Sequence, residues 1–104
     1  MNEWHLYLIR TRQGTLYTGI STNVLRRFNE HCEGKGAKYL RSRGPLTLVY
    51  QSKMGSRALA TKAEHRIKKL QKKRKEQIIS EQPEEVILLT FLRLLKPKAS
   101  TPET

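Results

Sequence analysis

The chain has 104 residues, a length that suits one domain with a modest hydrophobic core and excludes two. Its 21 Lys and Arg residues outnumber nine acidic ones, so the formal net charge is +12 and the expected partner is a polyanion, nucleic acid first. The single cysteine excludes an internal disulfide and a thiolate metal site. All nine acidic residues are glutamates scattered along the chain, which argues against a carboxylate-rich two-metal site. Any metal-dependent hydrolysis would therefore use one ion.

The three histidines lack the HExxH pairing of zinc hydrolases. The N-terminus, MNEWHLYLIR, has the pattern of neither a signal peptide nor a myristoylation site. The sequence therefore predicts a cytoplasmic protein with no membrane partner.

Two segments rich in β-branched and aromatic residues, 4–10 and 15–21, flank the polar loop Arg12-Gln13-Gly14. This pattern predicts a hairpin with Gly14 in a left-handed conformation. In that register Tyr7 lies opposite Gly19 and Ile9 opposite Tyr17, so both tyrosines share one face. The other face is more uniformly apolar and is predicted to lie on the core; it carries Trp4, Leu6, Leu8, Leu16, Thr18 and Ile20.

A helix is predicted directly after the hairpin, with Thr22 or Asn23 as its cap. The predicted buried stripe consists of Val24, Leu25, Phe28 and Cys32. Arg27 and His31 would lie on the shoulder of this stripe, one turn apart. A flexible loop, a short helical piece at 37–43 and a third strand at 46–52 are predicted to follow.

A longer helix is predicted to begin at Ser56 or Arg57, and Glu64 lies on the shoulder of its apolar stripe. That stripe consists of Leu59, Ala60, Ala63, Ile67 and Leu70. The pattern fails near Lys72, which predicts a break and a short separate helix to about Ser80. Pro83 opens a last segment whose apolar run, Val86–Leu95, is shorter than the roughly 20 residues that span a bilayer. We expect this run to pack on its own domain, on a protein partner or on another copy.

Ten of the 21 basic residues lie in 53–75, beside the single carboxylate Glu64. The residues predicted to bind nucleic acid are Arg26, Lys35, Lys38, Arg41, Arg57, Lys68 and Lys72. A plain solvated helix is the alternative interpretation of the charge run. Glu64 itself has two interpretations: an ion pair with Lys68 or Arg57, or a ligand for one Mg²⁺ that bridges the protein and a phosphate.

The order and spacing of several short motifs resemble the GIY-YIG nuclease superfamily, most closely its small single-domain bacterial UPF0213/YhbQ-type members. The motifs are His5-Leu6-Tyr7 and Tyr17-Thr18-Gly19, followed by Arg27, His31, the stretch GKGAKYLRSRGPLTLVY and Glu64 within ALATKAEHRIKKL. The resemblance covers roughly residues 4–72.

This resemblance implies an α+β fold, with a small three-stranded, mostly antiparallel sheet flanked by helices. It implies a nuclease-like domain at 1–80, and we expect a C-terminal apolar helix at 81–96 and a disordered tail at 97–104. It also implies hydrolysis of phosphodiester bonds with one divalent cation, Mg²⁺ or Mn²⁺, held by Glu64. Tyr7, Tyr17 or His31 would help to deprotonate water, Arg27 would stabilise charge on the phosphate, and Gly19 would be structural.

The expected function is a metal-dependent endonuclease acting on DNA, including branched or damaged DNA in repair or recombination. The alternative is a weakly active or inactive module that binds DNA or RNA. Each site residue also has an ordinary structural interpretation, since strand tyrosines, surface arginines and helix histidines are common. The sequence leaves the identity of the general base open.

Overall fold

The computed structural model describes residues 3–94. Three antiparallel strands form one sheet in the order β2-β1-β3: β1 is Trp4–Arg10, β2 Leu16–Ser21 and β3 Thr47–Gly55. Within the described residues, four α-helices accompany it: α1 Val24–Cys32, α2 Arg57–Lys68, α3 Lys72–Glu81 and α4 Glu85–Phe91. The predicted α+β class is confirmed. The predicted tail at 97–104, and the end of the apolar run at Leu95, lie outside the described residues.

The hairpin has the predicted register. Tyr7 pairs with Gly19 and Ile9 with Tyr17. Gly14 has a φ of 90°, and the backbone N–H of Thr11 donates to the carbonyl of Thr15 at 2.9 Å. Because side chains alternate between faces along a strand, this turn determines which residues share each face.

Both faces of the sheet are buried, whereas the sequence predicted only one core face. The expected face packs against α2, α3 and α4 in the larger cluster, which is built on Leu6, Leu8, Tyr50, Met54, Ala60, Ala63, Ile67, Ile78, Leu88, Leu89 and Leu92. The opposite face carries a second cluster of Tyr7, Ile9, Val24 and Leu40. Leu40 comes from a short 3-10 helix, Lys38–Leu40, the shorter form of the predicted helical piece at 37–43. This second cluster buries Tyr7.

The predicted buried stripe of α1 is wrong at two positions. Leu25 is 66% exposed and Cys32 is exposed, whereas His31, expected on the shoulder, is only 2% exposed. Asn23 is the cap, because its side chain accepts from the backbone N–H of Arg26 at 3.1 Å. The physical reason for the error is that a histidine with both ring nitrogens hydrogen-bonded can be buried, so polarity alone does not place it outside.

Helices α2 and α3 follow the predicted pattern. Ser56 caps α2, and Ala60, Ala63 and Ile67 have no exposed surface. The break near Lys72 is present. Among residues 3–94, no helix is long and apolar enough to cross a membrane.

Helix α3 is joined to the hairpin by two parallel hydrogen bonds, in which the Arg10 guanidinium donates to the Glu76 carboxylate at 2.6 and 2.7 Å. Helix α4 buries Leu88 and Leu89, whereas Val86 and Ile87 are exposed. Helix α4 therefore contributes part of the larger core.

Candidate active site

The Tyr7 side chain crosses over Gly19, the residue that faces it on the edge strand β2. A Cβ atom at position 19 would lie 2.4 Å from the Tyr7 hydroxyl oxygen, far inside van der Waals contact. Gly19 is therefore needed so that Tyr7 can point across β2. The Tyr7 side chain is 1% exposed, so its hydroxyl lies at the sheet edge while its ring is part of the core.

His31 contacts the Tyr7 hydroxyl and is held in one tautomer. The backbone N–H of Ala37 donates to His31 Nδ1 at 3.0 Å, so that nitrogen carries no proton in the neutral ring. The proton is then on Nε2, which lies 2.9 Å from the Tyr7 hydroxyl and donates to it. Burial, with a further contribution from the Arg27 charge, lowers the pKa of His31 and favours this neutral form.

Tyr17 completes a cluster of three rings. Its ring centroid lies 6.5 Å from that of Tyr7 and 5.5 Å from that of His31, to which it presents an edge-on contact. The Tyr7 and His31 centroids are 6.0 Å apart. The predicted shared face of the two tyrosines is therefore confirmed, and His31 reaches it from α1.

Arg27 lies one turn before His31 on α1 and supplies positive charge to the cluster. Its guanidinium donates to Glu30 at 2.9 Å and remains partly exposed. Burial raises the pKa of Tyr7 to about 12, the neighbouring Tyr17 adds to the rise, and the Arg27 charge opposes it. Arg27 therefore acts electrostatically on the same hydroxyl that His31 contacts.

Glu64 projects from α2 and also affects Tyr7, since its charge contributes to raising the pKa of that phenol. The Glu64 side chain is 22% exposed. Its carboxylate forms an ion pair with the Lys68 ammonium at 3.1 Å, one turn along the helix. Of the two predicted ion-pair partners of Glu64, Lys68 is therefore the one in contact, whereas the guanidinium carbon of Arg57 lies 5.2 Å from the Trp4 ring centroid. Within residues 3–94, no group of three His, Cys, Asp or Glu side chains could hold a metal.

All seven cations predicted to bind nucleic acid are exposed: Arg26, Lys35, Lys38, Arg41, Arg57, Lys68 and Lys72. Some of them also have contacts within the chain. Lys72 donates to the Gly14 carbonyl at 2.9 Å, and Lys35 lies 3.7 Å from Glu33. Such exposed pairs contribute little to stability and leave the positive charge accessible to solvent.

Sequence reasoning missed the loop that follows α1. It predicted only flexibility at 33–36, yet Gly36 lies against the His31 ring, where a Cβ would come within 2.1 Å of Nδ1. Ala37 fixes the tautomer of His31 through its backbone N–H, a contact with no side-chain signature. Tyr39 was also missed, although an aromatic residue among the basic residues of GAKYLRSR is a detectable signal.

Comparison with known families identifies the domain that carries the tyrosine cluster. Residues 3–77 match the model of the GIY-YIG catalytic domain. The chain belongs to the GIY-YIG family. GIY-YIG is a nuclease family, so its substrate class is nucleic acid, and the tyrosine cluster on the hairpin lies within the matched region.

The chain is also similar to individual UPF0213 proteins. The UPF0213 protein YhbQ of Salmonella arizonae is 50% identical over 93 residues, covering 89% of this chain and 93% of that protein. A UPF0213 protein of Yersinia pestis is 53% identical over 91 residues, covering 88% and 93%.

Two solved structures are similar to this fold. The solution NMR structure of the UPF0213 protein BH0048 from Bacillus halodurans has a TM-score of 0.50 at 40% identity, covering 75% of this chain and 83% of that one. That of the protein EF2693 from E. faecalis has a TM-score of 0.53 at 33% identity, covering 93% of each chain.

Proposed function

We propose that this protein is a metal-dependent endonuclease that hydrolyses phosphodiester bonds in DNA, including branched or damaged DNA. One observation carries the proposal: the Tyr7 hydroxyl packs over Gly19 and is hydrogen-bonded to His31, and its pKa is affected by the charges of Arg27 and Glu64. A nuclease site needs a proton acceptor, a fixed positive charge and a carboxylate in one place. The four side chains named here, Tyr7, His31, Arg27 and Glu64, supply all three.

Tyr7 is the general base in this proposal, and His31 is its positioning residue. Both ring nitrogens of His31 are already used, because Nδ1 accepts from Ala37 and Nε2 donates to Tyr7. The imidazole therefore has no free lone pair for a water molecule. A hydrogen bond donated to Tyr7 favours its phenolate form, which can take a proton from the attacking water.

Arg27 stabilises the phosphate as negative charge develops on its oxygens. A guanidinium stays charged at any physiological pH and offers several N–H donors in one plane, a geometry that suits phosphate oxygens. The ion pair with Glu30 orients the group from the next turn of the same helix. Arg27 is partly exposed, so a bound phosphate could accept hydrogen bonds from its guanidinium in addition to Glu30.

Glu64 is the residue that would hold the divalent cation. Its donor set fits Mg²⁺ or Mn²⁺ acting as a single ion, because Mg²⁺ commonly binds through one or two carboxylates and keeps several waters and substrate phosphate oxygens as its other ligands. The partly exposed side chain allows such a hydrated ion to approach. When bound, the cation supplies Lewis-acid stabilisation of the phosphate and adds positive charge beside the cluster.

A nicking assay on Glu64 variants tests the proposal. Purified protein with Mg²⁺ or Mn²⁺ should cut a branched DNA substrate, and Glu64→Gln should lower the rate at least about 100-fold because the cation loses its carboxylate ligand. DNA binding should persist in this variant. Glu81→Gln is the matched control, since Glu81 lies on α3 and contacts Gln77 rather than the site. Equal cutting by wild type and Glu64→Gln would contradict the proposal.

A second candidate is a binding module with little or no turnover. The observation that favours it is the Glu64–Lys68 ion pair, in which an ammonium group occupies the carboxylate that would hold the metal ion. The same assay decides between the two functions: strong DNA binding by wild type with no cutting under either cation supports the binding module.

A further inference from the structure

The ring cluster extends outward into a stack of three flat groups. The Tyr39 ring lies nearly parallel to Tyr17, with an interplanar angle of 16° and a centroid separation of 6.2 Å. The guanidinium carbon of Arg43 lies 4.4 Å from the Tyr39 ring centroid. We call Tyr17, Tyr39 and Arg43 the stacking ladder. Its inner member belongs to the proposed catalytic cluster, and its outer members belong to the loop between α1 and β3.

Hydrogen bonds hold the ladder in place. The Tyr39 hydroxyl donates to Thr15 Oγ1 on the hairpin at 3.2 Å, and Arg43 Nε donates to the Tyr39 carbonyl at 2.6 Å. The backbone of Arg43 is joined to the same hairpin, since its carbonyl accepts from the N–H of Arg12 at 3.0 Å. The loop therefore presents its aromatic and cationic groups in a defined orientation.

Tyr39 is 44% exposed despite these anchors, so part of its ring is open to solvent. Flat aromatic surfaces bind nucleobases by stacking, and arginine guanidinium planes do the same while adding positive charge. The exposed cations Lys38 and Arg41 flank Tyr39 in sequence and suit the adjoining phosphates. The chemistry of the ladder therefore matches a nucleotide better than a protein surface.

We propose that the stacking ladder is a nucleobase subsite that holds an unpaired base next to the phosphate to be cut. The proposal rests on the proposed nuclease function, because Tyr17 is shared with the catalytic cluster. Only a base outside a double helix exposes a face to stack on. Such a base comes from a single strand or from a duplex with one base extruded, and both offer the ladder the same chemistry.

Binding measurements on a cleavage-deficient protein test the subsite independently of turnover. In the Glu64→Gln background, without divalent cations, fluorescence anisotropy would give the Kd for a labelled single strand, for a duplex with one bulged base and for a fully paired duplex. Adding Tyr39→Leu should raise the Kd for at least one of the first two about 5-fold or more. Tyr39→Phe, which keeps the flat ring and loses only the Thr15 contact, should change it less than about 2-fold.

An abasic substitution separates stacking from a structural role of Tyr39. When the stacked nucleotide of the strand lacks its base, Tyr39→Leu should cause no further loss, since there is nothing left to stack. Arg43→Lys, which keeps the charge and removes the planar group, should show the same pattern. This variant replaces Tyr39→Leu in the test if Tyr39→Leu lowers Tm strongly. Equal binding by the Leu and Phe variants, or an equal loss on intact and abasic strands, would overturn the subsite. Failure of wild type to cut DNA would contradict the nuclease proposal, and the binding measurements would still decide whether the ladder holds a base.

Discussion

At the scale of single residues, the central feature is a phenol whose proton is difficult to remove. Burial raises the pKa of Tyr7 to about 12, so below that pH the deprotonated fraction grows tenfold with each pH unit. The hydrogen bond from His31 and the charge of Arg27 both favour the phenolate. These groups reduce the cost of using a buried tyrosine as a base.

Tyr7→Phe removes the proposed base while preserving the ring that packs over Gly19. We expect the cleavage rate to fall about 100-fold or more, since general-base catalysis typically contributes about 10²–10⁴-fold. The wild-type rate should rise with pH between pH 7 and pH 9, and this slope should disappear in the variant. Rates measured across that range check both outcomes. Tyr50→Phe is the control, because it removes a hydroxyl on the opposite face that donates to the Pro83 carbonyl.

At the scale of elements, the C-terminal helix is amphipathic, and its two neighbouring positions 87 and 88 have opposite environments. Leu88 has no exposed surface, whereas Ile87 is 60% exposed. The buried side joins the same cluster as Leu6 and Leu8 of β1. Helix α4 therefore supports the strand that carries Tyr7.

Leu88→Ala should destabilise the domain by about 2–5 kcal/mol, because a buried leucine leaves a cavity in the core. Ile87→Ala should change the free energy of unfolding by less than about 0.5 kcal/mol, as expected for an exposed position. Urea unfolding of the two variants measures the difference. Equal effects would show that α4 does not pack on this core in solution, and light scattering would then test whether its apolar residues mediate self-association.

At the scale of the whole molecule, the dominant property is the formal net charge of +12. Such a charge attracts nucleic acid over distances of a Debye length and makes affinity depend on salt. Many exposed cations lie on the loop after α1 and on the helices. Non-specific affinity should therefore be strong at low ionic strength.

The logarithm of the association constant should fall linearly with the logarithm of salt concentration, because each neutralised phosphate releases counterions. Arg41→Gln should reduce the magnitude of this slope by about one. Arg93→Gln is the matched control: Arg93 is also exposed, but it follows α4 and is not among the residues predicted to bind nucleic acid. A slope that changes equally in both variants would mean that the contacts are not localised near the proposed site.

The amino-acid sequence by itself determined the parts of the molecule that depend on local periodicity. The two-residue alternation of side chains along the strands and the turn at Gly14 placed Tyr7 opposite Gly19. The apolar stripe of α2, which repeats every 3.6 residues, placed Glu64 beside the buried face of that helix. It also determined the family, because the motifs occur in a characteristic order. The hairpin register and the helical stripe arise from residues close together in the chain, whereas the family is recognised from the order of motifs along most of it.

Only the tertiary structure decided how these parts meet. His31 is buried because Tyr7, 24 residues earlier, and the backbone of Ala37 satisfy its two nitrogens, and neither contact follows from the helical pattern of α1. The stacking of Tyr39 on Tyr17 likewise joins a loop to a strand. Periodicity specifies which side of an element faces inward, whereas hydrogen bonds and ring contacts between distant segments depend on how the elements pack against one another.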